Sequence, residues 1–101
     1  MKKKINNWDI VIVKFNQGVD EKVKQQAVED ILALKNKIPE IKKISAGVNF
    51  TDRSKGYDHG WVVELEKKEG LGVYNEHPEH LAYVTKYRPL FADLIAVDYE
   101  S

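Results

Sequence analysis

Four segments of the chain carry the apolar patterns of β-strands. Residues 8–15 are rich in β-branched side chains, and the run is too short for a typical helix. Residues 41–50 alternate apolar and polar side chains with a period of two, and residues 58–66 do so again after a polar loop. Residues 94–99 form a last apolar run. We therefore predict four strands.

Two further segments have the spacing of helices. Asp20 follows a turn and is suited to cap a helix that ends before Pro39, about 18 residues later. Residues 69–72 are predicted to end the third strand, and residues 73–91 to form a short helix and then a longer one. Pro78 suits the first turn of the second of these. The apolar residues of the first helix recur at steps of three and four and predict one buried stripe, made of Val23, Ala27, Ile31, Leu34 and Ile38 and widened by Val28 and Leu32.

The predicted order of elements is β-α-β-β-α-β, with the second helical region divided. This order is that of the ferredoxin-like fold of the α+β class, a four-stranded antiparallel sheet with helices on one face. We predict one domain over residues 1–101, with residues 1–7 flexible.

The first predicted strand is apolar on both of its faces. Ile10 and Ile12 point to one side, and Val11, Val13 and Phe15 to the other. Helices cover only one side of a ferredoxin-like sheet, so the other would expose an unusually large apolar patch. We expect a second copy of the chain to cover it through a two-fold contact, which makes a homodimer.

Composition excludes several classes of partner. Sixteen Lys and Arg balance sixteen Asp and Glu, so no net field attracts a nucleic acid or an anionic membrane. No apolar run is long enough to span a membrane. Lysines 2–4 indicate a frayed, solvated end, because Asn6, Asn7 and Asp9 interrupt before any apolar stretch of a signal peptide. Cysteine is absent, which excludes disulfides and thiolate chemistry and fits a cytoplasmic location.

Three segments resemble the stress-responsive A/B barrel (Dabb) domain family. They are residues 12–15 at the end of the first strand, Ile38-Pro39 at the end of the first helix, and residues 74–80, which read Tyr-x-x-His-Pro-x-His. The resemblance extends from about Trp8 to Tyr99. It implies a homodimeric α/β barrel. Members of the family differ in function: some are linked to stress response, and one plant member is a polyketide cyclase.

The resemblance to that cyclase also implies site residues. The cyclase uses a Tyr and a His at the first and last positions of the motif, which fall on Tyr74 and His80. A Gly-Tyr-x-His segment of the cyclase matches residues 56–59 and implies that His59 contacts the substrate. We expect His77, within the motif, to contact the substrate as well. Family members commonly have His at the start of the first strand, where this chain has Asp9.

A Tyr and a His together suit carbonyl chemistry. A neutral imidazole at His80 can take a proton next to a carbonyl, while the phenol of Tyr74 donates to the developing oxyanion. The structural alternative is that His77 starts a helix and His80 hydrogen-bonds the backbone. A metal reading needs His77 and His80 on one helical face with Glu76, Glu79 or His59 as a third ligand. Because His-x-x-His spacing is common, we predict neither a metal nor a cofactor.

These observations leave three functional hypotheses. The first is a homodimer that binds a small, mostly apolar or aromatic molecule between sheet and helices, with Tyr74, His77 and His80 as polar contacts. The second is a cofactor-independent cyclase or lyase in which His80 is the base and Tyr74 the oxyanion donor. The third is a structural dimer without a ligand. Tyr83 and Tyr87, four residues apart, are predicted to pack in the core.

Overall fold

The computed structural model describes residues 5–101, so the predicted frayed end at residues 1–4 lies outside the described part. Two short 3₁₀ turns, Leu34–Asn36 and Arg88–Leu90, follow the first and third helices. The elements of the described part are the strands β1 (Asn7–Phe15), β2 (Ile41–Val48), β3 (His59–Leu65) and β4 (Phe91–Glu100) and the helices α1 (Glu21–Ala33), α2 (Gly70–Glu76) and α3 (Pro78–Tyr87).

The four strands form one antiparallel sheet in the order β2-β3-β1-β4. β1 lies between β3 and β4, so every residue of its centre has a partner on both sides. Val11 pairs with Trp61 on β3 and with Ala96 on β4. This topology confirms the predicted ferredoxin-like α+β fold.

Alternation along β1 separates the two faces of the sheet as predicted. Val11 and Val13 are 7% and 0% exposed and point toward the helices. The helices and this face enclose one core, which includes Tyr83 and Tyr87 as predicted and consists of Val11, Val13, Ala27, Ile31, Leu34, Ile38, Ile41, Trp61, Val63, Leu65, Tyr74, Tyr83, Tyr87 and Phe91.

The opposite face of the sheet, called the open face below, carries apolar side chains that no other element of residues 5–101 covers. Ile12, Ile95, Val97 and Tyr99 are between 36% and 51% exposed there. Trp8 is half-buried at its margin and donates from Nε1 to the hydroxyl of Ser101 at 3.0 Å. The open face is the surface on which the sequence predicted a second copy.

The first helix is shorter than predicted. Asp20 caps α1 by accepting from the amide of Lys22 at 2.8 Å, as expected. The α-helix ends at Ala33, however, and a 3₁₀ turn carries the chain to Ile38, which is fully buried. Leu32 follows Ile31 by about 100° around the helix. It is therefore outside the buried stripe and 36% exposed, and Val23 is 37% exposed in the first turn.

Other element ends also differ from the prediction. α2 begins at Gly70, inside the segment expected to be a break, because the amides of Gly70 and Leu71 already bond to the carbonyls of Lys67 and Lys68. β4 begins at Phe91, three residues early, since the turn that contains Pro89 ends the helical region there.

Ordered structure also reaches closer to the amino end than predicted. Asn7 belongs to β1, and the amide of Asn6 donates to the carbonyl of Ser101 at 2.6 Å. Residues 6 and 7 are therefore paired with the end of β4 and the residue that follows it, and the flexibility of residues 1–7 stays a prediction.

Candidate functional site

A cavity of about 330 Å³ lies between the helix-covered face of the sheet and the helices. Its walls are largely apolar: Val11 and Trp61 come from the sheet, and Ile31 comes from α1. Polar side chains also line it: Asp9, Tyr74, His80 and Asp98 come from four different elements, and Asn75 and Arg88 line it as well. The fold thus gathers a small polar cluster inside an otherwise apolar pocket.

The break between α2 and α3 brings Tyr74 and His80 together. His77 has an extended backbone, with φ −62° and ψ 136°, and its amide donates to the carbonyl of Tyr74 at 3.2 Å. Pro78 then begins α3 with a backbone angle already suited to a helix. As a result the rings of Tyr74 and His80 lie 4.5 Å apart between centroids.

His80 is held in one tautomer. Its Nδ1 lies 3.0 Å from the backbone carbonyl oxygen of Asn75. A carbonyl oxygen can only accept, so Nδ1 carries the proton and Nε2 keeps a lone pair. Burial lowers the pKa of His80, an effect that outweighs the opposing hydrogen bond to Asn75. The ring is therefore a neutral base at neutral pH.

Tyr74 has the complementary character of a donor. Its side chain is 1% exposed, and burial raises its pKa well above the ordinary value, with further contributions from the nearby Asp9 and Asp98. The phenol thus stays protonated. Among residues 5–101 its hydroxyl has no hydrogen-bond partner, so it can donate to a molecule in the cavity.

His77 lies outside the cavity. Its Nδ1 accepts from the amide of Glu79 at 3.1 Å, which makes it the N-cap of α3. This is the structural alternative raised by the sequence, and it occupies the ring nitrogen nearest the backbone. The structure therefore does not bring His77 to the polar cluster.

His59 is also separate from Tyr74 and His80. It lies opposite Val13 on β1, is 6% exposed, and packs edge-on against Phe15 with 4.9 Å between ring centroids. Burial lowers its pKa, and its Nδ1 is buried with no partner among residues 5–101. Its side chain borders a shallow groove near Tyr57 rather than the cavity.

Asp98 is a cavity residue that the sequence reasoning missed. It pairs with Asp9 across β1 and β4, so two carboxyl groups face each other beside Tyr74. Asp9 is 5% exposed, and its burial and the adjacent Asp98 raise its pKa to about 8. A signal was present: each aspartate interrupts an apolar strand, and the predicted fold makes those two strands neighbours.

Metal-binding clusters and membrane-spanning helices are both absent from the described residues. Within residues 5–101, no group of three or more His, Asp or Glu side chains is arranged to hold a metal ion. None of the helices in that part of the chain has both the length and the hydropathy needed to cross a membrane. The cytoplasmic location stays a prediction.

Comparison with known proteins identifies the family. The family profile described as the stress responsive A/B barrel domain, Dabb, matches residues 9–101. The chain belongs to the Dabb family. This confirms the resemblance seen in the three sequence segments, and the match covers nearly the whole of this chain.

Relatives of this Dabb protein include an enzyme and a dimer. Olivetolic acid cyclase of Cannabis sativa is 29% identical over 89% of this chain and 91% of its own length. A dimeric ferredoxin-like protein of unknown function from Thermobifida fusca is 26% identical, with a TM-score of 0.82 over 94% of this chain and 90% of that one. The hydroxynitrile lyase of Passiflora edulis shares the fold, with a TM-score of 0.88 at 19% identity over 95% and 93% of the two chains.

Proposed function

We propose that this Dabb protein binds one small, mostly apolar or aromatic molecule that carries a carbonyl group, in the cavity between sheet and helices. The observation that carries the proposal is the cavity itself, about 330 Å³ with apolar walls and a few convergent polar groups. An apolar cavity of about 150 Å³ already holds benzene. The hydroxyl of Tyr74 and Nε2 of His80 supply a donor and an acceptor for the polar end of the ligand.

The binding unit is a homodimer joined through the open face. Supporting this, a solved relative is described as dimeric, and Ile95, Val97 and Tyr99 expose 43%, 51% and 49% of their surface in one chain. A large apolar patch of this kind is typical of an interface between copies. The cavity lies on the other side of the sheet, so dimer contact and ligand binding use different surfaces.

A second proposed function is cofactor-independent catalysis on a carbonyl compound, as in a cyclase or lyase. The tautomer of His80 favours it, because Nε2 is a neutral base beside a protonated phenol. In this step the C–H bond next to the carbonyl breaks and Nε2 takes the proton. The electron pair moves onto the carbonyl oxygen, to which Tyr74 donates a hydrogen bond. The similarity to olivetolic acid cyclase supports this proposal.

Binding can be tested with a defined probe. Acetophenone, a small aromatic ketone, is titrated into the labelled protein near pH 6.5, and amide shifts around the cavity report binding by NMR. Tyr74→Phe is expected to weaken binding about fivefold, the value of one hydrogen bond. Tyr57→Phe, which removes a hydroxyl outside the cavity, is the matched control. If acetophenone shifts no cavity resonance, ligand binding of this kind is excluded and the structural dimer is favoured.

Mass spectrometry of small molecules retained through gentle purification then identifies the natural ligand.

Catalysis has its own readout on the same probe. In D₂O, proton abstraction exchanges the methyl protons of acetophenone for deuterium, which the loss of the ¹H signal measures. We expect wild type to accelerate exchange and His80→Gln to lower the rate by about a hundredfold. Exchange no faster than in buffer, with binding intact, would exclude the enzyme and leave the binding protein.

A further inference from the structure

Two carboxyl groups face each other inside the cavity. Asp9 on β1 and Asp98 on β4 are direct partners in the antiparallel register, and both line the cavity. Asp9 is 5% exposed, so water reaches it poorly. Like charges directly opposite on neighbouring strands repel, and burial strengthens the repulsion. Two full negative charges are therefore unfavourable here at neutral pH.

The surroundings of the pair favour a shared proton over a cationic partner. Asp98 is the charged group that, together with burial, raises the pKa of Asp9. One proton held between the two facing carboxyls would join them by a hydrogen bond. Arg88 also lines the cavity, but it donates to the carbonyl of Phe91, near the opposite end of β4 from Asp98. Lys68 borders a groove that Asp98 also lines, but its Nζ pairs with Glu100 at 3.1 Å. These contacts leave a shared proton as the favoured way to reduce the charge of the pair.

A second observation points to a ligand beside this pair. The side chain of Tyr74 is 1% exposed and its hydroxyl is unpartnered among residues 5–101, although the side chain lines the same cavity. The charges of both aspartates raise the pKa of its phenol, and all three side chains line the same cavity. A phenol that lines the cavity next to a carboxyl pair, with no hydrogen bond to another side chain or backbone group of residues 5–101, can be completed by a polar group of a bound molecule.

We propose that Asp9 and Asp98 hold one proton between them, and that this proton, together with the Tyr74 hydroxyl, selects an uncharged carbonyl compound over a carboxylate. This inference rests on the proposed ligand-binding function and narrows its substrate class. The protonated carboxyl donates to the carbonyl oxygen, and the remaining negative charge repels an anion. A compound with a free carboxylate is thereby disfavoured.

Other titratable groups of the cavity do not interfere in the window from about pH 6.5 to 9.5. Burial lowers the pKa of His80 on α3, so its ring stays neutral above that lower limit. Burial raises the pKa of Tyr74 on α2 and that of Tyr83 on α3, so both phenols stay protonated. The guanidinium of Arg88 stays charged throughout. The carboxyl pair is then the group in the cavity that changes charge, since burial and Asp98 raise the pKa of Asp9 to about 8.

The first measurement detects the proton directly. The full chain is prepared with ¹³C-labelled aspartate carboxyls and titrated by NMR. Wild type is expected to show one aspartate with its midpoint near pH 8, absent in Asp9→Asn and moved to lower pH in Asp98→Asn. Asp98 is exposed, so the second variant is expected to fold even if the first does not. Asp52→Asn, in an exposed loop, is the matched control. If every aspartate titrates near its ordinary value in wild type, the shared proton is excluded, whatever the cavity binds.

The second measurement compares two probes of nearly equal shape, acetophenone and benzoate. Near pH 6.5 wild type is expected to bind the ketone at least about tenfold more tightly than the anion. Raising the pH to about 9.5 removes the shared proton, and affinity for acetophenone should fall about tenfold. In Asp9→Asn that affinity should not change with pH, and in Asp98→Asn the midpoint of the change should move to lower pH. Binding of acetophenone that is independent of pH in wild type would overturn this inference and leave the proposed function intact. Failure of acetophenone to bind near pH 6.5 overturns the ligand selection together with the proposed function.

Discussion

Tyr83 on α3 donates a hydrogen bond of 2.9 Å from its hydroxyl to the backbone carbonyl of Ala27 on α1. The ring is 6% exposed and packs against Trp61 and Tyr87, with centroid distances of 6.1 and 4.7 Å. The bond thus joins the two longer helices above the sheet, and the same ring lines the cavity. Helix packing and the shape of the cavity depend on one side chain.

Tyr83→Phe removes this bond and keeps the ring. The free energy of unfolding is expected to fall by about 1 kcal/mol, the usual value of a single neutral hydrogen bond. The loss stays small because the Ala27 carbonyl still accepts within α1. Urea unfolding at one fixed protein concentration measures it. An unchanged midpoint at unchanged slope would show that the bond adds nothing to stability.

Two of the three histidines are predicted to hold opposite tautomers. His80 donates from Nδ1 to the Asn75 carbonyl, whereas His77 accepts at Nδ1 from the Glu79 amide and so carries its proton on Nε2. Long-range ¹H–¹⁵N NMR distinguishes the two tautomers, and identical tautomers would contradict the assigned geometry.

Burial of His80 should also make stability depend on pH. Because burial lowers the pKa of His80, the unfolded chain binds a proton first as pH falls. The contribution of His80 to the free energy of unfolding is therefore complete above its ordinary pKa and is lost on acidification.

A charge on the open face should separate the proposed dimer. Val97→Lys puts an ammonium group into that face and is expected to yield monomers in sedimentation at micromolar concentration. Val73→Lys is the matched control, because Val73 is 50% exposed and Val97 51%, but Val73 lies on α2, in the helix layer. A wild-type monomer, or dissociation by both variants alike, would exclude the open face as the interface.

The sequence predicted the fold well because its signals are local and consistent. Alternation in β1, the Asp20 cap and Pro78 each set a boundary or a face without reference to the rest of the chain. Element ends were harder, since the 3₁₀ turn after Ala33 and the early start of α2 depend on how the chain packs back onto the sheet.

The candidate site was only partly accessible from sequence for a related reason. Tyr74 and His80 lie in one motif, and their ring contact follows from a local break between two helices. Asp98 is 89 positions from Asp9 by subtraction of their residue numbers, and only strand register places it opposite. His59 belongs to a recognisable segment, yet it lies two residues before Trp61, at the start of β3, where its side chain faces Phe15 instead of the cavity. The sequence motif therefore located the pair Tyr74 and His80, whereas the pairing of Asp98 with Asp9 became visible only in the tertiary structure.

The carboxyl pair should also make stability depend on pH. The pKa of Asp9 rises from 3.8 to about 8 in the folded chain, so the native state keeps a proton that the unfolded state has lost. Stability from this group is complete at low pH and is lost as pH rises through the folded pKa. Between about pH 6.5 and 9 the free energy of unfolding is expected to fall by about 2 kcal/mol.

Asp9→Asn should remove that slope, because its amide is neutral at every pH in this window, and so should raise stability at pH 9 relative to wild type. Asp98→Asn should reduce the slope as well, since it deletes the charge that opposes ionisation of Asp9. Asp52→Asn should leave the slope unchanged. Urea unfolding across the pH range measures all four proteins. If wild type and Asp9→Asn lose stability in parallel, Asp9 is ionised in the native protein, and the fold tolerates two facing charges by solvating them through the mouth of the cavity.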